Sequence, residues 1–107
     1  MKLHKLNEMT RGWFVGDFTP SLYQTQDVEV AIQHFAAGTV EAEHYHAIAT
    51  EITVIVSGEA EMQGRRVKAG DIVVIEPKEI TGFTAITDVT TAVVKLPGAK
   101  NDKYLAL

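Results

Sequence analysis

Short apolar stretches alternate with turn-forming residues along the 107-residue chain, and none shows the 3.6-residue period of an amphipathic helix. Gly, Pro, Asn and Asp separate these stretches, as is typical of strands joined by tight turns. The pattern predicts turns at 63–64, 70–71 and 87–88. The predicted strands cover residues 2–6, 12–18, 27–36, 41–46, 51–58, 59–63, 66–68, 72–76, 82–87 and 90–96. Many short strands at this spacing predict an all-β protein, built as one small β-barrel.

Two of the predicted strands carry apolar or β-branched residues at successive positions, ITVIV at 52–56 and IVVI at 72–75. Because successive side chains on a strand point to opposite faces, both faces of these strands should be covered. One face would line the interior of the barrel. For the other face we expect a second copy of the chain, in a homodimer; a covering terminal segment is the alternative.

Composition narrows the class of protein. Apolar residues make up 46% of the chain, which is enough for one compact domain over residues 1–107. The absence of cysteine excludes disulfides, thiolate metal sites and a cysteine nucleophile. Ten basic against 14 acidic residues give a formal charge of −4, so neither nucleic acid nor an anionic membrane is expected as a partner. Without a signal-peptide pattern or an apolar run of about 20 residues, we expect a cytoplasmic protein.

The most informative stretch is HYHAIATE, in which His44 and His46 are followed by Glu51. Residues i and i+2 of a strand share a face, so the two imidazoles should converge, with Tyr45 on the opposite face. Glu51 can join them only if residues 47–50 turn, and Ala-Ile-Ala-Thr is a weak turn sequence. Two imidazoles and one carboxylate suit Fe(II), Zn, Mn, Ni or Co. The alternative is a pair of surface histidines beside a solvated glutamate, since His-x-His occurs often by chance.

Residues 38–58 follow the spacing G-x5-H-x-H-x4-E-x6-G, which resembles the first signature of the cupin superfamily at every defined position. Residues 70–77, GDIVVIEP, resemble the beginning of the second signature. The resemblance covers about residues 28–96. It implies a cupin jelly-roll β-barrel with a metal inside, similar to small single-domain cupins of unassigned function.

The same resemblance implies the members of the site. His44, His46 and Glu51 would hold a divalent metal ion. Three further residues would line the pocket by the register of the family: Thr53, Thr81 and Phe83. His34, on the strand before, is expected as a core or rim histidine of this pocket.

The chain departs from the family pattern in its second signature. Members usually place a third histidine ligand eleven residues after the glycine at position 70, where this chain has Thr81, or Gly82 with a slip of one residue. A further glycine is replaced by the pair at 78–79. Three outcomes are open: a weaker three-ligand site, a substitute ligand such as His34 or Glu79, or loss of the metal with a polar pocket remaining.

Other residues have simpler expectations. Trp13, Phe14 and Phe18 form an aromatic cluster that either packs an N-terminal strand over the barrel or walls the pocket mouth. Residues 102–104 lie in a polar tail, to which we assign no chemistry.

Two functions are consistent with these observations. The first is a metal-dependent enzyme, such as an oxygenase or an isomerase, that acts on a small molecule. The second is a non-catalytic, metal-free barrel that binds a sugar or metabolite. The missing third histidine favours the second, and the intact first signature favours the first.

Overall fold

The structure, a computed structural model, describes residues 1–106, and its regular secondary structure is almost entirely short antiparallel strands. A single turn of 3-10 helix at Leu6–Glu8 comes first. The strands in chain order are β1 (Trp13–Val15), β2 (Glu29–Phe35), β3 (Val40–His46), β4 (Thr50–Ser57), β5 (Glu59–Met62), β6 (Arg65–Lys68), β7 (Ile72–Ile75), β8 (Thr81–Ala85), β9 (Val89–Leu96) and β10 (Lys103–Leu105). No helix in residues 1–106 is long and apolar enough to cross a membrane.

The strands form two five-stranded sheets that pack against each other. The first sheet has the strand order β1-β2-β9-β4-β7, and the second has the order β10-β3-β8-β5-β6. Chain neighbours such as β3 and β4 therefore lie in different sheets. The predicted all-β class is confirmed, and within residues 1–106 the jelly roll consists of two facing sheets with no pairing that closes them into a continuous barrel.

Nine of the ten predicted strands are present, with ends that differ by a few residues. The strand predicted at 2–6 is wrong, because this segment has no pairing partner before the 3-10 turn. The sequence also missed β10, whose three exposed residues have no strand pattern of their own. This strand forms by pairing with β3, with Lys103 opposite His46 and Leu105 opposite His44.

The predicted hairpin turn at residues 63–64 joins β5 to β6. Both Gln63 and Gly64 have positive φ angles, 52° and 70°. This is the backbone that a two-residue type I′ turn requires, and it matches the right-handed twist of the flanking strands. The short pair β5–β6 therefore has its register fixed by its own turn.

The core lies between the two sheets. Ile55 of β4 and Val89 of β9 come from the first sheet, and Met62 and Phe83 come from the second. The rings of Phe35 and Phe83 pack across the interface with centroids 4.8 Å apart. Strand alternation places the buried Ile55 inward and leaves its neighbour Val56 half exposed on the outer face, as the sequence predicted.

Truncation of the core should show how much these contacts contribute to stability. Ile55 is fully buried, so Ile55→Ala should lower the free energy of unfolding by about 2–5 kcal/mol. Val40→Ala is the matched control, because Val40 is 67% exposed on the second sheet and should change the same quantity by less than about 0.5 kcal/mol. Urea unfolding followed by circular dichroism measures both, and equal losses would contradict the assignment of the core.

Candidate metal centre

His44, His46 and Glu51 lie close together between the two sheets. Both histidines project inward from the end of β3 and are buried, with ring centroids 5.4 Å apart and planes at 78°. Glu51 projects toward them from the beginning of β4, and its Oε1 lies 3.6 Å from Nε2 of His46. The i, i+2 spacing gives the histidines one face, and the crossing of the chain to the other sheet brings the carboxylate opposite them.

The hydrogen bonds of the two imidazoles fix which nitrogen faces the carboxylate. Nδ1 of His44 lies 2.9 Å from the carbonyl oxygen of Ala42, and Nδ1 of His46 lies 3.1 Å from that of Asp102. A carbonyl only accepts, so each Nδ1 carries hydrogen and donates. In the neutral rings, each Nε2 then has a free lone pair. This arrangement is the usual one for histidines that bind metal through Nε2.

Nε2 of His46 is buried and has no hydrogen-bond partner among residues 1–106. Burial raises the pKa of the facing Glu51 carboxyl, but the contact with His46 and then the charge of Lys95 lower this pKa by more. The pKa therefore lies below its ordinary value, and the group is a carboxylate at neutral pH. A lone pair and a carboxylate that face each other repel unless a group between them satisfies both, such as a proton on Nε2, a metal ion or a neutral hydrogen-bond donor.

The turn between β3 and β4 is held by a side chain from the far end of the sequence. The Asp102 carboxylate is buried and accepts hydrogen bonds from the backbone N–H groups of Ala47, Ile48 and Ala49 at 3.0–3.1 Å. Burial raises the pKa of Asp102, and these bonds, that of Ala49 first, lower it by more, so the net shift is downward. Asp102 therefore supplies the turn that Ala-Ile-Ala-Thr does not encode, and it positions Glu51 against His46.

A cavity of about 220 Å³ opens over the three candidate ligands, and its walls carry both aromatic and charged groups. Trp13 and Phe18 belong to the wall, so two members of the aromatic cluster line the pocket. Nζ of Lys95 lies 3.6 Å from the carboxylate of Glu29 and 5.1 Å from the Trp13 ring centroid. These contacts hold the ammonium group of Lys95 in place beside Glu51.

Of the four other pocket residues predicted from the sequence, three line a second, smaller cavity and the fourth, His34, does not. A smaller cavity of about 50 Å³ lies behind His44 and Glu51. Thr53, Thr81 and Phe83 line it, as the register of the family implies.

His34 lies outside both of these cavities, on the outer face of β2, where its Nδ1 is 2.9 Å from the hydroxyl of Thr90. The expectation that His34 lines the pocket is corrected by strand alternation, since its neighbours Gln33 and Phe35 occupy the inward positions. Glu79 is also elsewhere, where it accepts hydrogen bonds from the Gln63 side chain and the Glu76 backbone. Neither residue reaches the candidate ligands.

Thr81 stands directly opposite His44 in the pairing of β8 with β3 and is buried. Its hydroxyl donates to the carbonyl of Gly82 at 3.0 Å. The position where the family pattern has a third histidine thus presents a hydroxyl oxygen. Within residues 1–106, no group of three or more His, Asp or Glu side chains is arranged so that it could hold a metal ion without side-chain movement.

Two facing five-stranded antiparallel sheets are the architecture of the double-stranded β-helix fold, which the cupins share. The resemblance predicted from the sequence is confirmed at the level of the fold. No protein-family model and no curated protein matches the chain, so the agreement comes from solved structures.

Three solved structures show this likeness. An uncharacterized conserved protein with a double-stranded β-helix domain from Klebsiella pneumoniae is 24% identical, with a TM-score of 0.74 over 98% of this chain and 91% of its own. A cupin superfamily protein from Desulfitobacterium hafniense is 20% identical, with a TM-score of 0.64 over 70% and 72%. The DMSP lyase DddQ from Ruegeria pomeroyi is 21% identical, with a TM-score of 0.71 over 88% of this chain and 49% of its own.

The role of Asp102 in the site is testable through stability. Asp102→Ala leaves three backbone N–H groups without their acceptor and should lower the free energy of unfolding by roughly 2–5 kcal/mol. Asp102→Asn keeps one acceptor oxygen and should lose less. Asp71→Ala is the control, because Asp71 accepts a single exposed bond from the Lys68 N–H, and it should lose about 1 kcal/mol. Urea unfolding measures all three, and an Asp102→Ala loss no larger than the control's would contradict the role.

Proposed function

We propose that this protein binds a divalent metal ion through His44, His46 and Glu51 and acts on a small molecule in the adjoining cavity, as an oxygenase, an isomerase or a related enzyme. The observation that carries the proposal is the buried Nε2 of His46. This atom lacks a hydrogen-bond partner among residues 1–106 and faces an ionised carboxylate at 3.6 Å.

The chemistry of the three donors suits a metal ion for three reasons. A buried nitrogen without a partner is destabilising unless a ligand satisfies it. Both Nδ1 atoms donate to backbone carbonyls, which orients each Nε2 and raises its basicity. The low pKa of Glu51 keeps an anionic oxygen available at neutral pH. Two imidazoles and a carboxylate accept Fe(II), Zn, Mn, Ni or Co, and the ligand types do not separate these metals.

The rest of the cavity supplies binding and orientation. A bound divalent ion would polarise a carbonyl or activate water or dioxygen. Trp13 and Phe18 provide apolar wall beside the candidate ligands, and Lys95 holds a positive charge beside Glu51. Thr81 presents its hydroxyl oxygen as an acceptor opposite His44. The DMSP lyase of Ruegeria pomeroyi is an enzyme of the same fold, which supports catalysis here only by analogy.

A second candidate is a metal-free barrel that binds a sugar or metabolite without catalysis. Thr81 in place of a third histidine favours it, as does the absence of a complete three-ligand arrangement within residues 1–106. In this case a proton on Nε2 of His46 would pair with Glu51, and the same cavity would bind its ligand through polar contacts.

Metal content decides between the two candidates. Protein purified without chelators should carry near one equivalent of a divalent metal by elemental mass spectrometry, and His44→Ala should lose it. His34→Ala is the matched control, because that histidine lies on the outer face of β2 and should leave metal content unchanged. Background metal in all three proteins, even after reconstitution, would overturn the enzyme proposal and favour the metal-free barrel.

Metal binding should also stabilise the fold. A ligand that binds only the native state adds about 2.7 kcal/mol to the free energy of unfolding when its free concentration is 100 times its Kd. Chelated wild-type protein should therefore melt at a lower temperature than reconstituted protein. The melting temperature of His44→Ala should not respond to added metal. Differential scanning fluorimetry with each of the five metals measures the response, and an equal response in both proteins would place the bound metal elsewhere.

A further inference from the structure

The outer face of the first sheet is apolar across four strands. Alternate residues of β2, β9, β4 and β7 point away from the second sheet, and the pairing registers align them in rows. The first row is Val30, Val94, Ile52 and Val74, and the second is Ile32, Ala92, Val54 and Ile72. All eight are at least partly exposed, with Ile72 at 63% and Val74 at 51%.

The charged residues of this sheet point inward, toward the second sheet. Its five strands contain only three, Glu29, Glu51 and Lys95, and all three point inward and line the cavity. An antiparallel sheet that faces water normally shows the reverse, with polar side chains outside. The outer face of the second sheet follows the normal pattern, where Glu61 stands opposite Arg66.

We propose that this apolar face packs against the same face of a second copy of the chain, which forms a homodimer. In a two-fold dimer the same patch meets itself, so any charge on the patch would be brought close to its own copy. The two central rows carry no charge, so association there brings no like charges together although the chain has a net charge of −4. That net charge disfavours an anionic membrane as the occupant.

The size of the face predicts how tightly two copies associate. The strands β2, β9, β4 and β7 have 7, 8, 8 and 4 residues. At about 3.3 Å per residue along a strand and about 4.8 Å between strands, their footprint is roughly 430 Å² in projection. A standard interface buries about 800 Å² per partner. Leu6 and Met9 add apolar surface beside Ile32, along a groove of about 490 Å³ at the β2 edge. The dimer should therefore be reversible, with a dissociation constant in the micromolar range.

Sedimentation velocity between about 1 and 100 µM tests the proposal, since this range brackets micromolar dissociation. The wild-type protein should shift from monomer to dimer. Val74→Lys and Ile72→Lys place a charge on the face at positions more than half exposed, so each should stay folded and remain monomeric at the highest concentration. Thr84→Lys is the control on the outer face of the second sheet, opposite Glu61, and it should dimerise as the wild type does. A monomeric wild type, or lysine variants that dimerise normally, would overturn the proposal.

A cross-linking experiment tests the same face without adding charge. The chain has no cysteine, so a single introduced thiol is the only reactive one. Val54→Cys lies in the second row on the central part of the patch, and Thr84→Cys is its half-buried counterpart on the other sheet. A short bis-maleimide should cross-link Val54→Cys into covalent dimers and leave Thr84→Cys monomeric. Equal cross-linking of the two variants, or none of Val54→Cys, would overturn the proposal whether or not the protein binds metal.

Discussion

The candidate site depends on one interaction, the hydrogen bonding of Asp102 to the turn between β3 and β4. Its carboxylate accepts the N–H groups of Ala47, Ile48 and Ala49, while its backbone carbonyl accepts Nδ1–H of His46. These partners lie 53 to 56 residues earlier in the chain. The same residue thus sets the tautomer of His46 and the path by which the chain crosses to the other sheet. The His46 tautomer and this path of the chain are both needed for the Glu51 carboxylate on β4 to face Nε2 of His46 on β3.

The consequence is a polar centre within an apolar sandwich. Ile55 and Phe83 pack tightly between the sheets, whereas Nε2 of His46 and the carboxylate of Glu51 face each other without a direct hydrogen bond. A core selected for stability alone would satisfy or remove such a pair. Either a proton on Nε2 or a cation that enters from the cavity would satisfy both groups at once, and the proposed metal ion is the second case.

Local periodicity determined which parts of this arrangement could be predicted from the sequence. The i, i+2 spacing gave the common face of His44 and His46, and the alternation along β4 gave the inward face of Thr53 and Ile55. Both depend only on neighbours in the chain. The turn at 47–49 could not be predicted, because its stabilising group comes from a distant tail whose sequence has no strand pattern. Strand β10 exists only through its pairing with β3, so that no local signal predicts it. The strand predicted at 2–6 was wrong for the opposite reason, because its residues suit a strand but no neighbouring strand pairs with them.

The same alternation links the site to the outer face of the first sheet. Along β4, Glu51 points into the cavity and Ile52 points outward, and along β9 the pair Lys95 and Val94 does the same. Each strand that supplies a charge to the cavity therefore supplies an apolar side chain to the outer face at the next position. If such a strand slipped by one residue, its charged side chain would point to the apolar outer face, and its apolar neighbour would point into the polar cavity. A second layer over the outer face would hold this register from outside while Asp102 holds it from the end of the strand. The contacts of Asp102 and such a second layer would together set the arrangement of the candidate ligands, and neither would touch the Nε2 atoms or the Glu51 carboxylate.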